Sequence, residues 1–198
     1  MVGHRFAATS FQVTVSTAYC VVNAAKSIVL IGMMGAGKSS VGRSLQRRSG
    51  LARLDTDEML AAEFGISIAQ IFEKHGEEKF RDAESEVLRR LAPDRPAIIV
   101  TGGGIVLRHQ NVDLLKGVGT VVWLAADEAT LFERAARRDH RPLLQHENPR
   151  AIFSKLFRER GPLYAAAADI RIDTSQLTHD AVAETILNKM EEFSSLRQ

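Results

Sequence analysis

Short apolar runs alternate with longer amphipathic segments along most of this chain. The apolar runs are rich in β-branched residues and are bounded by glycine, proline or polar residues, which predicts buried strands. Strands are predicted over residues 27–32, 51–55, 97–104, 119–126 and 169–175. The amphipathic segments predict helices over residues 38–50, 57–65, 67–76, 77–92, 127–138, 151–160 and 179–193. Strands that alternate with helices are typical of an α/β fold with a mostly parallel sheet.

The helix predicted over residues 77–92 has the most regular apolar pattern. Its apolar residues recur at helical spacing and predict a single buried face made of Phe80, Ala83, Val87, Leu88 and Leu91. Glycine and proline mark the ends of the neighbouring elements. Gly50 and Gly76 each follow a predicted helix, and Pro93 follows this one.

The composition is that of an ordinary globular protein, with 45% hydrophobic and 25% charged residues. A length of 198 residues fits one domain with a modest extension. No apolar run approaches the roughly 18 residues that a membrane span needs, so we expect no membrane contact. The chain has one cysteine, Cys20, which cannot form an internal disulfide. A reducing compartment, the cytoplasm, is therefore the expected location.

The first 26 residues differ from the rest in charge. They contain Arg5 and Lys26 and no acidic residue, which leaves 24 basic and 24 acidic residues in 27–198. A main body without net charge gives no indication of nucleic-acid binding. We therefore predict a loosely structured N-terminal extension over 1–26, followed by one domain over 27–198. Organelle targeting is the alternative for the extension, and its single arginine argues against it.

The stretch "IGMMGAGKSS" at residues 31–40 carries the strongest chemical signal. It matches the phosphate-loop pattern G-x-x-x-x-G-K-[ST] and lies between a predicted strand and a predicted helix. Glycines let backbone N–H groups surround phosphate oxygens, and the helix adds its positive N-terminus. The predicted nucleotide-binding residues are Gly35, Ala36, Gly37, Lys38, Ser39 and Ser40. The glycines do not follow the G-x-G-x-x-G spacing of a dinucleotide fold.

Two residues of the phosphate loop have predicted roles of their own. Lys38 would reach the β- and γ-phosphates of a nucleoside triphosphate, and the Ser39 hydroxyl would help to hold Mg²⁺. Farther along, "LDTDE" places Asp55 and Asp57 where the second strand ends. Acidic residues at the carboxyl end of a parallel strand line the ligand crevice, where they could serve Mg²⁺ and an acceptor hydroxyl. The alternative is that Asp55 or Thr56 only caps the next helix.

Three further stretches are candidates for substrate contact. In "FRDAE", Arg81 and Glu84 lie three residues apart on one helix face, a spacing that a solvent-exposed ion pair would also explain. In "TGGG", glycines 102–104 end a strand at the same crevice, where a ligand could lie on bare backbone or the chain could simply turn. In "HRPLL", Arg141 belongs to an irregular, arginine-bearing segment over about 137–150, which is typical of a lid that covers a γ-phosphate; the alternative is a charged surface loop.

Taken in order, these stretches resemble the shikimate kinases. The motifs GMMGAGKSS, DTD, FRDAE, TGGG, RPLL and RGPLY follow one another over residues 27–190, nearly the whole main body. The resemblance implies a five-stranded parallel sheet of the nucleoside-monophosphate-kinase type, with strand order 2-3-1-4-5. It also implies transfer of the ATP γ-phosphoryl group to the 3-hydroxyl of shikimate, a step of aromatic amino acid biosynthesis.

The resemblance further implies roles for individual residues. Shikimate would be bound by Asp57, Arg81, Gly103 and Arg160. Asp57 would take or orient the hydroxyl proton, and the two arginines would hold the carboxylate, which a planar guanidinium suits. On the nucleotide side the implied residues are Lys38 and Arg141 for the transferring phosphoryl group, Ser39 for Mg²⁺, and Asp55 acting on Mg²⁺ through water. The expected partners are ATP and shikimate. The protein is expected to be a monomer.

Two other functions stay open at this point. A gluconate-type sugar-acid kinase is also a small phosphate-loop protein with an anionic polyol substrate, and the FR-x-x-E and GGG motifs argue against it. A nucleotide-binding relative that has lost catalysis is the second alternative. The presence of Asp57, Arg81 and Arg160 argues against that loss.

Overall fold

The computed structural model describes residues 26–91, 93–137 and 148–195. Nearly all of the predicted extension over 1–26 and most of the predicted lid, including Arg141, lie outside the described residues. Five strands form one sheet: β1 Ser27–Ile31, β2 Ala52–Asp55, β3 Ala97–Val100, β4 Gly119–Ala125 and β5 Ile170–Asp173. All pairings are parallel and the order is β2-β3-β1-β4-β5. The predicted fold class and strand order are therefore confirmed.

Seven helices of the described residues flank this sheet. They are α1 Lys38–Ser49, α2 Thr56–Phe64, α3 Ile68–Arg90, α4 His109–Val118, α5 Glu128–Ala136, α6 Pro149–Ala167 and α7 His179–Ser195. Within α3, Gly76 has φ 78° and ψ 169°, so two helical segments meet there, as the glycine predicts. None of the helices in the described part of the chain is long and apolar enough to cross a membrane.

Two helical elements differ from the sequence prediction. The helix predicted to end at Arg160 continues through Pro162 to Ala167, because Tyr164 and Ala167 are buried against the sheet and alanine favours helix. The helix α4 was not predicted. It has no side-chain cap at its start, so the strongest local signal of a helix N-terminus is missing there.

The buried apolar side chains form two cores. The larger core surrounds the sheet, and the smaller core lies between α2 and α3 and contains Leu60, Ile71, Phe80 and Val87. The face predicted for α3 is buried, as expected, and it contacts both cores. Phe80 and Val87 face the smaller core with Ala83 packed beside them, whereas Leu88 and Leu91 face the larger one.

The sheet brings the chemically marked loops to one edge. β1 ends at the phosphate loop, β2 ends at Asp55, and β3 ends at the glycine cluster 102–104. Asp55 on β2 pairs with Val100 on β3, which in turn pairs with Leu30 on β1. Because the strands are parallel and adjacent, the three loops leave the sheet side by side at its carboxyl edge.

Candidate active site

The phosphate loop has the backbone conformation that its glycines allow. Gly35 and Gly37 have φ 86°, in the left-handed region where other residues are strained. A Cβ atom on Gly35 would lie 2.2 Å from the Leu131 carbonyl oxygen, so a side chain is also excluded by packing. Gly37 is the N-cap of α1 and has no side chain to occupy the helix N-terminus. The first N–H groups of α1 therefore face the loop, as anion binding requires.

The residues that follow Gly37 place further polar groups at the N-terminus of α1. Lys38 Nζ donates hydrogen bonds to the carbonyl oxygens of Gly32, at 2.6 Å, and Met33, at 3.2 Å, so the ammonium group lies over the loop. Ser39 and Ser40 occupy the first turn of α1 and are half-buried, whereas Ala36 is buried. A cation, a helix N-terminus and two hydroxyl groups at one place form a site for a polyphosphate anion.

Asp55 caps α2, which was the alternative to a ligand role predicted for this residue. Its Oδ1 accepts a hydrogen bond from the Asp57 backbone N–H at 3.2 Å, and its Oδ2 accepts one from Arg53 Nη1 at 3.0 Å. Burial and the nearby Glu58 carboxylate raise the pKa of Asp55, and the Arg53 charge opposes this shift. The cap holds Asp57 at the start of α2, half-buried at the edge of the crevice.

Arg81 and Glu84 form a buried ion pair, not a solvent-exposed one. Arg81 Nη1 lies 2.8 Å from Glu84 Oε2, and the Glu84 side chain is fully buried. The rings of Phe72 and Phe80 lie 5.8 Å and 5.0 Å from the Arg81 guanidinium carbon. Burial raises the pKa of Glu84, although the Arg81 charge lowers it. Glu84 and the two rings beside the smaller core therefore fix the guanidinium in place through charge and ring contacts.

Two of the three clustered glycines make room for these charged groups. A Cβ atom on Gly102 would lie 2.7 Å from Asp57 Oδ1 and 3.1 Å from Glu84 Oε1. A Cβ atom on Gly104 would lie 2.3 Å from Arg81 Nη2. Neither glycine has a positive φ, so the requirement is close approach and not backbone freedom.

Gly103 lies between the phosphate loop and α6 and contacts both. A Cβ atom on it would lie 3.5 Å from the Met34 backbone nitrogen and 3.6 Å from the Gly32 carbonyl oxygen, so it packs on the phosphate loop. Its own carbonyl oxygen accepts hydrogen bonds from two residues of α6, Arg160 Nη1 at 3.2 Å and the Tyr164 hydroxyl. Tyr164 was not predicted as a site residue, and the only signal for it was its place in the RGPLY motif.

The predicted site residues meet at one crevice, apart from Arg141, which lies outside the described residues. Arg81 pairs with Glu84, Gly102 packs against Asp57 and Glu84, and Arg160 donates to the next residue, Gly103, so these charged groups are close neighbours. Guanidinium groups from α3 and α6 thus converge beside an aspartate, next to a polyphosphate site. This arrangement suits a small acceptor that carries both an anionic group and a hydroxyl.

Comparisons with known proteins agree with this chemistry. A family model described as shikimate kinase matches residues 34–191. A shikimate kinase of Thermodesulfovibrio yellowstonii is 44% identical over 170 residues, covering 86% of this chain and 98% of that protein. A solved shikimate kinase from Acinetobacter baumannii, in complex with shikimate, has a TM-score of 0.80 and 38% identity, covering 84% of this chain and 93% of that one. A solved gluconokinase from Sinorhizobium meliloti has a TM-score of 0.54 at 19% identity, covering 87% of this chain and 97% of that one, which is a likeness of fold alone.

Proposed function

The chain belongs to the shikimate kinase family, and from this membership we propose how its residues carry out the reaction. The protein transfers the γ-phosphoryl group of ATP to the 3-hydroxyl of shikimate and releases shikimate 3-phosphate and ADP. The reaction belongs to the shikimate pathway of aromatic amino acid biosynthesis. The single observation that supports the residue assignments is the convergence of Asp57, Arg81 and Arg160 beside the phosphate loop.

ATP is proposed to bind with its phosphates in the phosphate loop. The backbone of Gly35, Ala36 and Gly37 and the hydroxyls of Ser39 and Ser40 would hold the phosphate oxygens. The Lys38 ammonium group contacts the carbonyl oxygens of its own loop. With ATP bound, we expect Lys38 to turn to the β- and γ-phosphates, where its charge stabilises the transferring group. The proposed role of Arg141 is the same, from the lid.

Mg²⁺ is proposed as the divalent ion, and the residues present fit it. Ser39 offers a hydroxyl oxygen and Asp55 a carboxylate, and Mg²⁺ prefers oxygen ligands with several waters retained. A Cβ atom on Gly42, one turn after Ser39, would lie 3.4 Å from the side chain of Arg53, which pairs with Asp55. Arg53, the partner of Asp55, therefore lies beside the first turns of α1. Bound Mg²⁺ would neutralise charge on the phosphates.

Shikimate is proposed to bind on the side of Gly103 opposite the phosphate loop. Arg81 and Arg160 would hold its carboxylate, and the half-buried Asp57 would accept the proton of its 3-hydroxyl. As the hydroxyl oxygen bonds to the γ-phosphorus, the bond from that phosphorus to the β,γ-bridging oxygen breaks and ADP leaves. Asp57 need not be a strong base, because positioning and charge stabilisation supply most of the rate of phosphoryl transfer.

ADP release from ATP tests the function directly. Purified protein would be mixed with ATP and Mg²⁺ and given shikimate, gluconate or no acceptor, with a fourth sample in which EDTA removes the metal. We expect ADP release with shikimate and Mg²⁺ only. Release with gluconate would favour a gluconate-type sugar-acid kinase. Nucleotide binding without turnover would favour a nucleotide-binding relative that has lost catalysis. Full activity in EDTA would contradict the Mg²⁺ assignment.

Gly104→Ala is expected to weaken shikimate binding without straining the backbone. Gly104 has φ −101°, which alanine adopts freely, but its Cβ atom would overlap the Arg81 guanidinium. We expect Arg81 to move and the KM for shikimate to rise about tenfold, the effect of one lost charge-assisted contact. The KM for ATP should change less than twofold. Steady-state kinetics with each substrate varied in turn would measure both.

Gly117→Ala is the matched control for this prediction. Gly117 lies within α4, and a Cβ atom there would meet no atom within 4 Å. We expect unchanged kinetics and a small gain in stability, because alanine favours helix over glycine. If Gly104→Ala also leaves the shikimate KM unchanged, the assignment of Arg81 to the carboxylate is wrong.

The oligomeric state, the location and the absence of a nucleic-acid partner are proposed from the surface and the composition. A monomer is supported by the small number of exposed large hydrophobic residues in the described chain, which are Met59, Leu107, Leu163 and Leu177. Sedimentation equilibrium would test it. The cytoplasm remains the proposed location because of the single cysteine. The balanced charge of residues 27–198 supports the absence of a nucleic-acid partner.

A further inference from the structure

Tyr164 is a buried residue of α6 that contacts both Gly103 and the phosphate loop. Only 2% of it is exposed, and its ring stacks on Trp123 with the ring centres 6.0 Å apart. Its hydroxyl donates to the Gly103 carbonyl oxygen and lies 3.9 Å from the sulfur of Met33 in the phosphate loop. Burial raises the pKa of Tyr164 to about 12, so the hydroxyl keeps its proton and remains a donor at physiological pH.

Ring packing alone does not explain this residue. A phenylalanine would stack on Trp123 equally well and would avoid burying a hydroxyl, which is unfavourable unless the hydroxyl is hydrogen-bonded. The hydroxyl finds its partner on Gly103, the residue that packs on the phosphate loop. The position of Gly103 is therefore set from α6, a helix that lies far away in the sequence.

The same carbonyl oxygen also holds Arg160. Arg160 Nη1 donates to Gly103 at 3.2 Å, and only 6% of Arg160 is exposed. Arg160 Nε is buried and has no hydrogen-bond partner among the described residues. A buried guanidinium with a free N–H is arranged for an anion that arrives from outside. The Arg160 guanidinium is held by its hydrogen bond to the Gly103 carbonyl oxygen, which also accepts one from Tyr164.

We propose that Tyr164 is a positioning residue for the acceptor: by fixing the Gly103 carbonyl, it orients Arg160 toward the shikimate carboxylate. This inference rests on the proposed function of Arg160 and extends it to a residue that touches neither substrate. When the Tyr164 hydroxyl is removed, Gly103 loses one of its two α6 donors, and Arg160 is held by a carbonyl that is less well fixed. The loss should appear in shikimate binding and not in ATP binding.

Tyr164→Phe tests the proposal, because phenylalanine keeps the ring and removes only the hydroxyl. We expect the KM for shikimate to rise about tenfold, the effect of one buried hydrogen bond. The KM for ATP should change less than twofold and kcat less than threefold. A purely structural role would lower the melting temperature and leave the shikimate KM unchanged.

Ser27→Ala provides a matched control for the loss of a buried hydroxyl. The Ser27 hydroxyl accepts a hydrogen bond from the Ala97 backbone N–H at 3.1 Å, at the opposite end of the β1–β3 pair. We expect this variant to lose some stability and to keep both KM values. An equal rise of the shikimate KM in Ser27→Ala and Tyr164→Phe would overturn the positioning role.

A double-mutant cycle with Arg160→Lys shows whether Tyr164 acts through Arg160. If it does, Tyr164→Phe should raise the shikimate KM less than twofold once Arg160 has been replaced. Independent effects that multiply would overturn the proposal. An active wild type whose shikimate KM is unchanged by Tyr164→Phe would overturn this inference alone. A wild type without shikimate-dependent turnover would overturn the proposed function, and the inference with it.

Discussion

Asp57→Asn is expected to lower the turnover number with shikimate at least about 100-fold, the lower end of what a positioned proton acceptor contributes. Asparagine has almost the same shape as aspartate but cannot take the hydroxyl proton as a carboxylate does. The geometry around it should survive, because the hydrogen bond to Asp55 comes from the Asp57 backbone N–H. The proposed ATP site is the phosphate loop, so the Kd for ATP should change less than twofold.

Stopped assays of shikimate 3-phosphate formation would give the turnover number, and titration calorimetry would give the ATP affinity. Asp82→Asn is the control, because Asp82 is an exposed acid of α3 that pairs with Arg108 at 2.7 Å. Replacing it should leave turnover unchanged, since an exposed ion pair contributes little. Turnover of Asp57→Asn near the wild-type value would mean that Asp57 does not take or orient the proton.

The parts of the site that could be predicted from the sequence are those whose residues are contiguous. The phosphate loop contains its glycines, its lysine and its helix start within residues 31–40, so the pattern alone predicts the local geometry. The sheet was predictable for a similar reason, because each strand is a short apolar or alternating segment with clear boundaries. The strand order came from resemblance to a family and not from the pattern.

Burial and partners over long sequence distances could not be predicted in this way. The spacing of Arg81 and Glu84 is the same in an exposed pair and in a buried one, and only the packing of Phe72 and Phe80 decides between them. The role of Tyr164 depends on a hydrogen bond to Gly103, 61 residues away in the sequence. The extension of α6 past Pro162 likewise depends on tertiary burial, which overrides the local helix-breaking signal.

The Arg81–Glu84 pair leads to the second large expected effect. Arg81→Ala should lower the free energy of unfolding by about 3–5 kcal/mol near neutral pH, because it leaves the fully buried Glu84 carboxylate without its partner. It should also raise the shikimate KM through the loss of the proposed carboxylate contact. These two effects would be confused in a single variant, so a second substitution is needed to separate them.

Arg81→Ala combined with Glu84→Gln separates the two effects. Glutamine removes the buried charge, so most of the lost stability should return, whereas the shikimate KM should stay as high as in Arg81→Ala. Urea unfolding would measure the first quantity and steady-state kinetics the second. A double variant that regains normal shikimate affinity would show that Arg81 acts on the substrate only through the stability of α3.

The stability loss of Arg81→Ala should depend on pH in a defined direction. Burial raises the pKa of Glu84 above 4.5 in the folded protein, so the folded state binds its proton more readily than the unfolded state. Stability therefore falls as the pH rises through the folded pKa, and the cost of the buried charge disappears as the pH falls toward 4.5. Without Arg81 the pKa should rise further, so the difference from wild type should be larger at about pH 8 than at about pH 5. Equal differences at the two pH values would mean that Glu84 does not carry the lost stability.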